Sequence, residues 1–416
     1  MVGFSLKGYA VLRNRNYRLF WSGQWISLIG TWMQSVTAAW LLTRLSTSPF
    51  ALGLLGAASS APVLLLVIFG GLISDRSDRR RVIMFTQALS LVQALVLAVL
   101  TLTGVVQPWH IIALAAVLGA INAFDIPARQ AFVVELVGAE QLPNAIALNS
   151  TGFNVARVVG PAIGGLLVAV VGEGVCFLIN AVSYLAVLWG LWLIALPQRV
   201  AQESSDRGLH ALLAGVRYVR RHHELRPILA LVGVVSAVAI SYRTFLPAMA
   251  RTVLDVGASR YGFLMAAAGV GAGLGGLVLA GQRMALDSYR RLLPLSLVGF
   301  GLALGLFAMS RTYDLSLILL AFVGTCGILY FNASNTLVQL NVEDAYRGRV
   351  MSLYTLMHQG TATFGSLALG VIADHEGTPT ALLSGAIVCL VAVGIFLLRP
   401  TLGQVQAGAT VTSKAE

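Results

Sequence analysis

Charged residues are scarce in this chain, and the densest group of them lies between two apolar segments. Six of the seven residues from Asp75 to Arg81 are charged. Hydrocarbon cannot solvate such a group, so these residues must form a short loop between two membrane helices. The chemistry available here is ionic, because Asp75 can accept hydrogen bonds from the N-terminal amides of a facing helix and Arg79 can pair with a neighbouring carboxylate. The predicted carboxylate is Asp125; the alternative is that Arg79 to Arg81 only anchor the helix end.

Three further ionisable residues fall inside apolar segments, where a charge is costly and usually faces a cavity or a partner. Arg157 is predicted either to pair with Asp125 or to attract an anionic substrate. Arg243 lies in a later segment, where it either lines the same cavity or extends towards the membrane surface. His358 titrates near neutral pH, which suits a proton carrier, although a hydrogen bond to a neighbour explains it equally well. No carboxylate falls at the middle of an apolar segment.

Uncharged polar and aromatic residues near the middle of the apolar segments complete the candidate site. Asn and Gln are costly in lipid, so they are expected to face the protein interior, where they line a cavity or bridge two helices. Besides Arg243, the predicted cavity residues are Trp32, Gln34, Asn154, Tyr330, Asn332, Asn335 and Gln359.

The sequence offers little for covalent or metal-dependent catalysis. It has no recognisable nucleophile–base pair, and the glycine-rich run from Gly269 to Gly273 lacks the Lys-Ser/Thr of a phosphate-binding loop. The three cysteines, Cys176, Cys326 and Cys389, are far apart and lack metal-ligand spacing. We therefore predict a protein that is not an enzyme and that has no cofactor or metal site.

The elements that must position these residues are membrane helices. Of the 416 residues, 57% are hydrophobic and 11% are charged, whereas soluble domains carry about 25% charged residues. A transmembrane helix needs ~20 apolar residues, and on that measure the chain has twelve spans. The spans are predicted at 19–43, 50–74, 82–104, 108–126, 145–171, 174–196, 227–250, 257–280, 292–310, 314–338, 350–373 and 379–398.

The basic residues indicate the orientation of these spans. The formal net charge is +11, but only two of the 28 basic residues are lysine, and the arginines cluster in alternate loops. With the N-terminus in the cytoplasm, the outer loops hold only Arg44, Arg251, Arg260 and Arg311, as the positive-inside rule requires. We predict that both termini are cytoplasmic. The charge is then a topology signal, which argues against nucleic acid as a partner.

The chain divides into two similar halves. Glycines at 160, 165 and 172 in span 5 recur at 365, 370 and 377 in span 11, a constant offset of 205. We predict an all-α integral membrane fold with a six-helix bundle at 1–196, a cytoplasmic linker at 197–226, a second six-helix bundle at 227–398 and a disordered cytoplasmic tail at 399–416. The spacing from Leu209 to Arg221 predicts an amphipathic helix of the linker, lying on the inner membrane surface.

Two motifs resemble those of a known family. Gly71-x-x-x-Asp75-x-x-x-Arg79-Arg80 is similar to the loop 2–3 signature of the major facilitator superfamily of transporters, apart from Asp78 where that family usually has Gly. The resemblance implies a gate that holds the cytoplasmic side shut, with Asp75 against span 11. The predicted gate residues are Gly71, Asp75, Arg79, Arg80, Asp125 and Arg157.

The second motif is Gly160-Pro161-Ala-Ile-Gly164-Gly165 in span 5, which resembles a motif of drug/proton antiporters. Its physical features are a bend at Pro161 and glycines that let another span pack closely. General helix packing is the alternative explanation. The resemblance implies export.

Further stretches narrow the resemblance to one subgroup. Residues 14–21, 30–34, 125–132 and 142–149 are similar to the subgroup that contains the enterobactin exporter and macrolide efflux proteins. This implies a monomeric inner-membrane exporter of an amphiphilic small molecule, drug-like or siderophore-like, that works by alternating access in exchange for protons. A uniporter or importer of the same fold and a lipid-handling membrane protein are the alternatives.

Overall fold

The computed structural model describes residues 11–195, 209–238, 241–279 and 285–398. Its regular structure in these ranges is helical, and they contain no strand. The first ten residues, the start of the predicted linker at 197–208 and the predicted tail at 399–416 lie outside the described residues. The prediction that the tail is disordered therefore stays a prediction.

The helices of the described residues follow one another along the chain in a simple order. They are α1 (Arg15–Leu45), α2 (Phe50–Arg76), α3 (Arg79–Leu102), α4 (Pro108–Val171), α5 (Glu173–Leu193), α6 (Leu209–Arg221), α7 (Leu225–Val238), α8 (Tyr242–Ala248), α9 (Ala258–Leu279), α10 (Leu286–Met309), α11 (Tyr313–Leu340), α12 (Asp344–Glu376) and α13 (Thr378–Leu397). A π-helical turn, Met249–Val253, continues α8.

α4 contains two spans rather than one. Its 64 residues would extend about 96 Å as a single straight helix, roughly three times the hydrocarbon thickness of a bilayer. Gly138 breaks it with φ 70° and ψ 174°, a conformation that glycine adopts without a Cβ clash. The part before Gly138 corresponds to span 4, and the part after it corresponds to span 5.

The described helices agree with the predicted twelve spans. Nine helical stretches are long and apolar enough to cross a membrane, and α4 supplies two spans within one of them. α7, α8 and the π turn together form another, Leu225–Val253. α1 and α12 are not among the nine, although they are long enough, with 31 and 33 residues. Their polar side chains lower the mean hydropathy, and several of those side chains belong to the site described below.

The helices pack in two groups. α1 to α5 contact one another, as do α7 and α9 to α13. Two main helix pairs join the groups: α2 packs against α12, and α4 packs against α9. We refer to the two groups as the N-terminal and C-terminal bundles.

Backbone contact at glycine allows the closest helix packing. In the C-terminal bundle, a Cβ on Gly271 of α9 would lie 1.8 Å from the Ala321 carbonyl oxygen of α11. In the same helix pair, a Cβ on Gly324 of α11 would lie 1.9 Å from the Ala268 carbonyl oxygen of α9. Any larger residue would separate these helices, so glycine here is a packing requirement.

α6 packs against the beginning of α12. The Tyr218 ring stacks on Tyr346 with centroids 4.4 Å apart, and its hydroxyl accepts a 3.3 Å hydrogen bond from the Glu343 backbone N–H. Gly215 lies against the Arg349 backbone. The described part of the linker therefore contacts the C-terminal bundle. Its predicted position on the membrane surface stays a prediction.

Candidate functional site

The charged loop between α2 and α3 begins with one close helix contact. A Cβ on Gly70 would lie 2.0 Å from the Ala123 carbonyl oxygen, so α2 and α4 touch at this point. Gly71 is the first residue of the family signature, and a Cβ on Gly71 would have no neighbouring atom within 4 Å. The close helix approach is therefore made by Gly70, the residue before the signature, and not by Gly71. The side chain of Asp75 lies outside the described residues, so its pairing with span 11 stays a prediction.

Arg79 pairs with a different carboxylate from the predicted one. Its Nη1 donates to Glu135 Oε1 at 2.7 Å and to the Ala131 carbonyl oxygen at 3.3 Å. The predicted pair with Asp125 is wrong, because Asp125 lies ten residues earlier, about 15 Å along α4. α3 and this part of α4 run in opposite directions. Arg79, the first residue of α3, therefore meets Glu135, the later of the two carboxylates in α4.

Asp125 is buried and fully engaged within the N-terminal bundle. It forms an ion pair with Arg129 one turn later in α4, and its side chain is 3% exposed. Its Oδ1 also accepts from Thr86 Oγ1 at 2.7 Å and from Gln87 Nε2 at 3.0 Å, both in α3. This carboxylate joins α3 to α4, and it pairs with neither Arg79 nor Arg157.

The last residues of the 75–81 loop stabilise the start of α3. Asp78, which occupies the usual glycine position of the family signature, is the N-cap, and its Oδ1 accepts from the Arg81 backbone N–H at 3.2 Å. A carboxylate is a favourable cap because it also faces the positive end of the helix dipole. Arg80 donates to the Trp192 carbonyl oxygen at 3.0 Å, which ties this end of α3 to the end of α5.

The span 5 motif faces two neighbours. Gly160 and Gly164 lie against α1, where a Cβ on Gly160 would be 2.6 Å from Trp32 Cβ. Gly165 lies against α9 of the other bundle, where its Cβ would be 2.9 Å from the Gly262 Cα. Pro161 lies inside the helix between these contacts. The motif therefore packs both within its own bundle and across the boundary between bundles.

Further contacts join the bundles at the helix ends remote from the 75–81 loop. Trp40 stacks on Tyr261 with centroids 5.6 Å apart, and Ser48 Oγ donates to Asp374 Oδ1 at 2.5 Å. A Cβ on Gly53 would lie 3.1 Å from the Gly370 Cα. The bundles thus meet closely on this side.

Arg157 is half-buried and has no complementary charge beside it. Its Nε and Nη2 atoms are inaccessible to solvent and donate to no partner among the described residues. No carboxylate of the described ranges forms an ion pair with Arg157 or Arg243. The Arg243 Nε atom donates to the Tyr242 hydroxyl at 3.4 Å. The two arginines belong to different bundles, and each stands on a helix that contacts the opposite bundle: α4 contacts α9, and α8 contacts α1 and α2.

His358 of α12 contacts side chains of α7 and α11. Its Nδ1 is 3.1 Å from Ser236 Oγ, and its ring centroid is 4.7 Å from that of Phe331. The positive charge of Arg243 also acts on the imidazole. The hydrogen bond that the sequence left as an alternative is present, and a role in proton transfer stays a prediction.

The predicted cavity residues separate into two groups. Gln34 is 3% exposed and bridges helices, since it donates to Gln93 Oε1 at 3.0 Å and accepts from Asn180 Nδ2 at 2.7 Å. Tyr330 is also 3% exposed and belongs to the apolar core of the C-terminal bundle. Placing these two in the cavity was wrong, because their helix faces point into the bundles.

The other predicted cavity residues are more accessible. Trp32 meets Phe153 edge to face at 5.6 Å. Asn154 donates to the Ser150 carbonyl oxygen of its own helix, and Asn335 accepts from Gln339 one turn later. Asn332 is half-buried and Gln359 is exposed. Whether these residues contact a substrate stays a prediction.

The sequence analysis missed Glu135 and the polar chain through Gln93 and Asn180. Pairing spans 3 and 4 as antiparallel neighbours and counting outward from the loop would have found Glu135. The sequence does not show that Gln93 and Asn180 are the partners of Gln34. That pairing depends on how α3 and α5 are rotated about their axes.

Comparison with known proteins identifies the family. A model of the transmembrane secretion effector family of major facilitator proteins matches residues 6–415. The chain is 26% identical to the staphyloferrin A transporter of Staphylococcus aureus over 386 residues, covering 92% of this chain and 96% of that protein. It is 27% identical to the enterobactin exporter EntS of Escherichia coli O81 over 383 residues, covering 92% and 91%.

Solved structures show the same fold. The nucleoside transporter NupG superimposes with a TM-score of 0.73 at 14% identity, covering 92% of this chain and 98% of that one. A bacterial homologue of the human lysosomal transporter Spinster superimposes with a TM-score of 0.72 at 14% identity, covering 95% and 97%. The family match confirms the resemblance inferred from the loop 2–3 motif. The chain therefore belongs to the transmembrane secretion effector family of the major facilitator superfamily, and it is a multi-pass membrane transporter rather than an enzyme.

Proposed function

We propose that this transporter exports an amphiphilic, siderophore-like small molecule across the inner membrane by alternating access. The observation that carries the proposal is that Arg157, Arg243 and His358 stand on α4, α8 and α12, each of which contacts the opposite bundle. The full-length similarity to a staphyloferrin A transporter and an enterobactin exporter supports the substrate class. Both termini are cytoplasmic in this proposal, as the arginine distribution predicts.

The packing suggests how access alternates. Gly165 against Gly262 and Gly53 against Gly370 bring backbones together at the ends remote from the 75–81 loop. Small residues make these two contacts separable, because the glycines bring no side chain of their own across the boundary. When these contacts close the outer side, the substrate enters from the cytoplasm; when they part, the 75–81 loop holds the cytoplasmic side shut.

Exchange with protons is the proposed source of energy. His358 is the proposed proton carrier, because imidazole is the side chain that ordinarily exchanges a proton near neutral pH and its Nδ1 lies within hydrogen-bond distance of Ser236 Oγ. Substitution of His358 by alanine is expected to flatten the pH dependence of transport, whereas Ser236→Ala, which removes only its hydrogen-bond partner, keeps a pH dependence. An unchanged pH profile in His358→Ala would remove this residue as the carrier.

The deciding experiment uses the purified full chain in proteoliposomes with an imposed pH gradient. An enterobactin-type triscatecholate and an amphiphilic dye are followed together with internal pH. Substrate movement coupled to opposite proton flux supports the antiporter. Movement down the substrate gradient without proton flux means a uniporter, and accumulation on the cytoplasmic-facing side means an importer. A preparation lacking the protein is the control for leakage.

A further inference from the structure

We propose that Arg157 and Arg243 form an anion site that holds one oxyanion group, such as a carboxylate, of the transported molecule between the two bundles. The inference rests on the proposed function and specifies the chemistry of its substrate. In this site, one arginine from each bundle binds the same oxyanion group of the ligand.

The first argument is the unmet bonding capacity of Arg157. A guanidinium has five N–H donors, and a buried one without acceptors loses the hydration that it had in water. Two of the three nitrogen atoms of Arg157 are inaccessible and unpartnered among the described residues. A protein that needed only packing at this position would gain stability from an apolar residue. The arrangement is explained if an acceptor arrives with the substrate.

The second argument is the sign of the charge. Arg157 of α4 and Arg243 of α8 are cations on helices that contact the opposite bundle, and no carboxylate of the described residues pairs with either arginine. The Asp125 carboxylate, the predicted partner of Arg157, is already satisfied by Thr86, Gln87 and Arg129. The charge that is missing from this group is negative, which excludes a cationic ligand at this position.

The third argument is position. Arg157 lies where α4 meets α9, since a Cβ on Gly269 would be 3.3 Å from its carbonyl oxygen. Arg243 precedes Thr244, and a Cβ on Gly56 of α2 would lie 3.1 Å from the Thr244 methyl group. Each arginine thus stands on a helix that contacts the opposite bundle. An oxyanion bound by both would cancel their repulsion and draw the bundles together, so ligand binding would favour the occluded state.

Aromatic groups on the same helices suit an amphiphilic anion. Trp32 packs beside Gly160, one turn from Arg157, and Phe331 and Tyr354 lie beside His358. A planar organic anion would find stacking surfaces near its charged group. The proposed ligand class is therefore an aromatic or otherwise amphiphilic organic anion rather than a small inorganic one.

The test measures ligand-dependent thermal stability of the purified full chain. The probes are trimellitate and benzoate, with benzamide as the uncharged match of benzoate, at constant ionic strength. The carboxylates are expected to raise the Tm saturably, trimellitate more than benzoate, and benzamide is expected to have no effect. In Arg157→Gln and Arg243→Gln the apparent Kd should rise about tenfold or more, because a charge-assisted hydrogen bond is lost.

The controls separate a binding role from a structural one. Arg260→Gln changes an exposed arginine at the far end of α9 and should bind the probes as the unmodified chain does. Arg157→Gln without ligand should melt no lower than the unmodified chain, since it removes a repulsion; a structural arginine would give a lower Tm. Arg157→Lys and Arg243→Lys retain the charge and should retain part of the binding.

The outcomes distinguish this inference from the proposed function. Equal probe binding by the two Gln variants and the unmodified chain would overturn the anion site, as would no carboxylate stabilisation at all. Transport of a cationic dye without carboxylate binding would leave the exporter standing and the anion site wrong. Carboxylate binding that depends on both arginines, without transport in proteoliposomes, would leave the site standing and the exporter wrong.

Discussion

At the scale of single residues, the membrane interior forces each polar group to find its partner inside the protein. Asp125 accepts from two α3 side chains and pairs with Arg129, and Gln34 both donates and accepts across three helices. Lipid offers no substitute for any of these bonds, so their loss is more costly than the loss of a surface contact. Arg157 is among the described residues whose buried polar atoms lack such a partner, and we assign its unmet donors to a ligand.

Substitution of Asp125 should therefore affect stability before it affects gating. Asp125→Ala leaves Arg129 without its counter-charge and is expected to cost about 3 kcal/mol, visible as a lower Tm of the purified protein. Asp125→Asn keeps an acceptor for Thr86 and Gln87 and should lose less. Normal stability of Asp125→Ala with reduced transport would return Asp125 to the gate that the sequence predicted.

The Arg79–Glu135 pair is expected to act as one unit. Both side chains are 19% exposed, so solvent screens their interaction only in part, and we expect a coupling of about 1 kcal/mol in a double-mutant cycle. Arg79→Ala and Glu135→Ala should each reduce transport by the folded protein, and the double variant should be little worse than either. Fully additive losses would show that the two residues work separately.

At the scale of elements, the two cross-bundle helix pairs depend on glycine. α4 and α9 approach at Gly165 and Gly262, and α2 and α12 approach at Gly53 and Gly370. Within the C-terminal bundle, the glycine contacts between α9 and α11 are accompanied by buried aromatic residues such as Phe245 and Phe307. We therefore expect the glycine contacts between the bundles to move and the contacts inside each bundle to stay.

A methyl group at the α4–α9 contact should therefore impair transport. In Gly262→Ala the new Cβ would lie 2.5 Å from the Pro161 carbonyl oxygen, which is too close without a shift of the backbone. Gly273→Ala in the same helix is the matched control, since nothing lies within 4 Å of its Cβ direction. Transport rates in proteoliposomes should fall for Gly262→Ala only. Equal rates for both variants would contradict a moving contact at this position.

At the scale of the whole molecule, the two bundles must part on one side while they close on the other. Contacts between the bundles begin near the middle of α2 and α4. They continue to the helix ends that are remote from the 75–81 loop. α6 remains attached to α12 through Tyr218, so the linker is expected to move with the C-terminal bundle.

A reversible crosslink between the bundles should stop transport. Ser48 and Asp374 touch across the boundary, so Ser48→Cys with Asp374→Cys, in a chain whose native cysteines are replaced by alanine, can be oxidised to a disulfide. We expect transport to be lost on oxidation and regained on reduction, with each single-cysteine variant insensitive to the oxidant. Undiminished transport by the fully crosslinked protein would rule out separation at this end.

The sequence by itself determined the membrane class, the twelve spans and the position of the charged loop. These depend on local quantities: the length of an apolar segment, and the exclusion of charge from hydrocarbon. It also determined the family, because the residues around Asp75 and Pro161 form short contiguous motifs.

Only the tertiary structure decided which residues meet. Arg79 reaches Glu135 instead of Asp125 because α3 and α4 are antiparallel with one particular offset. Gln34 and Tyr330 face the interior of their bundles, because each helix has one particular rotation about its axis. Those offsets and rotations follow from the packing of many side chains at once, and no local spacing in the sequence records them.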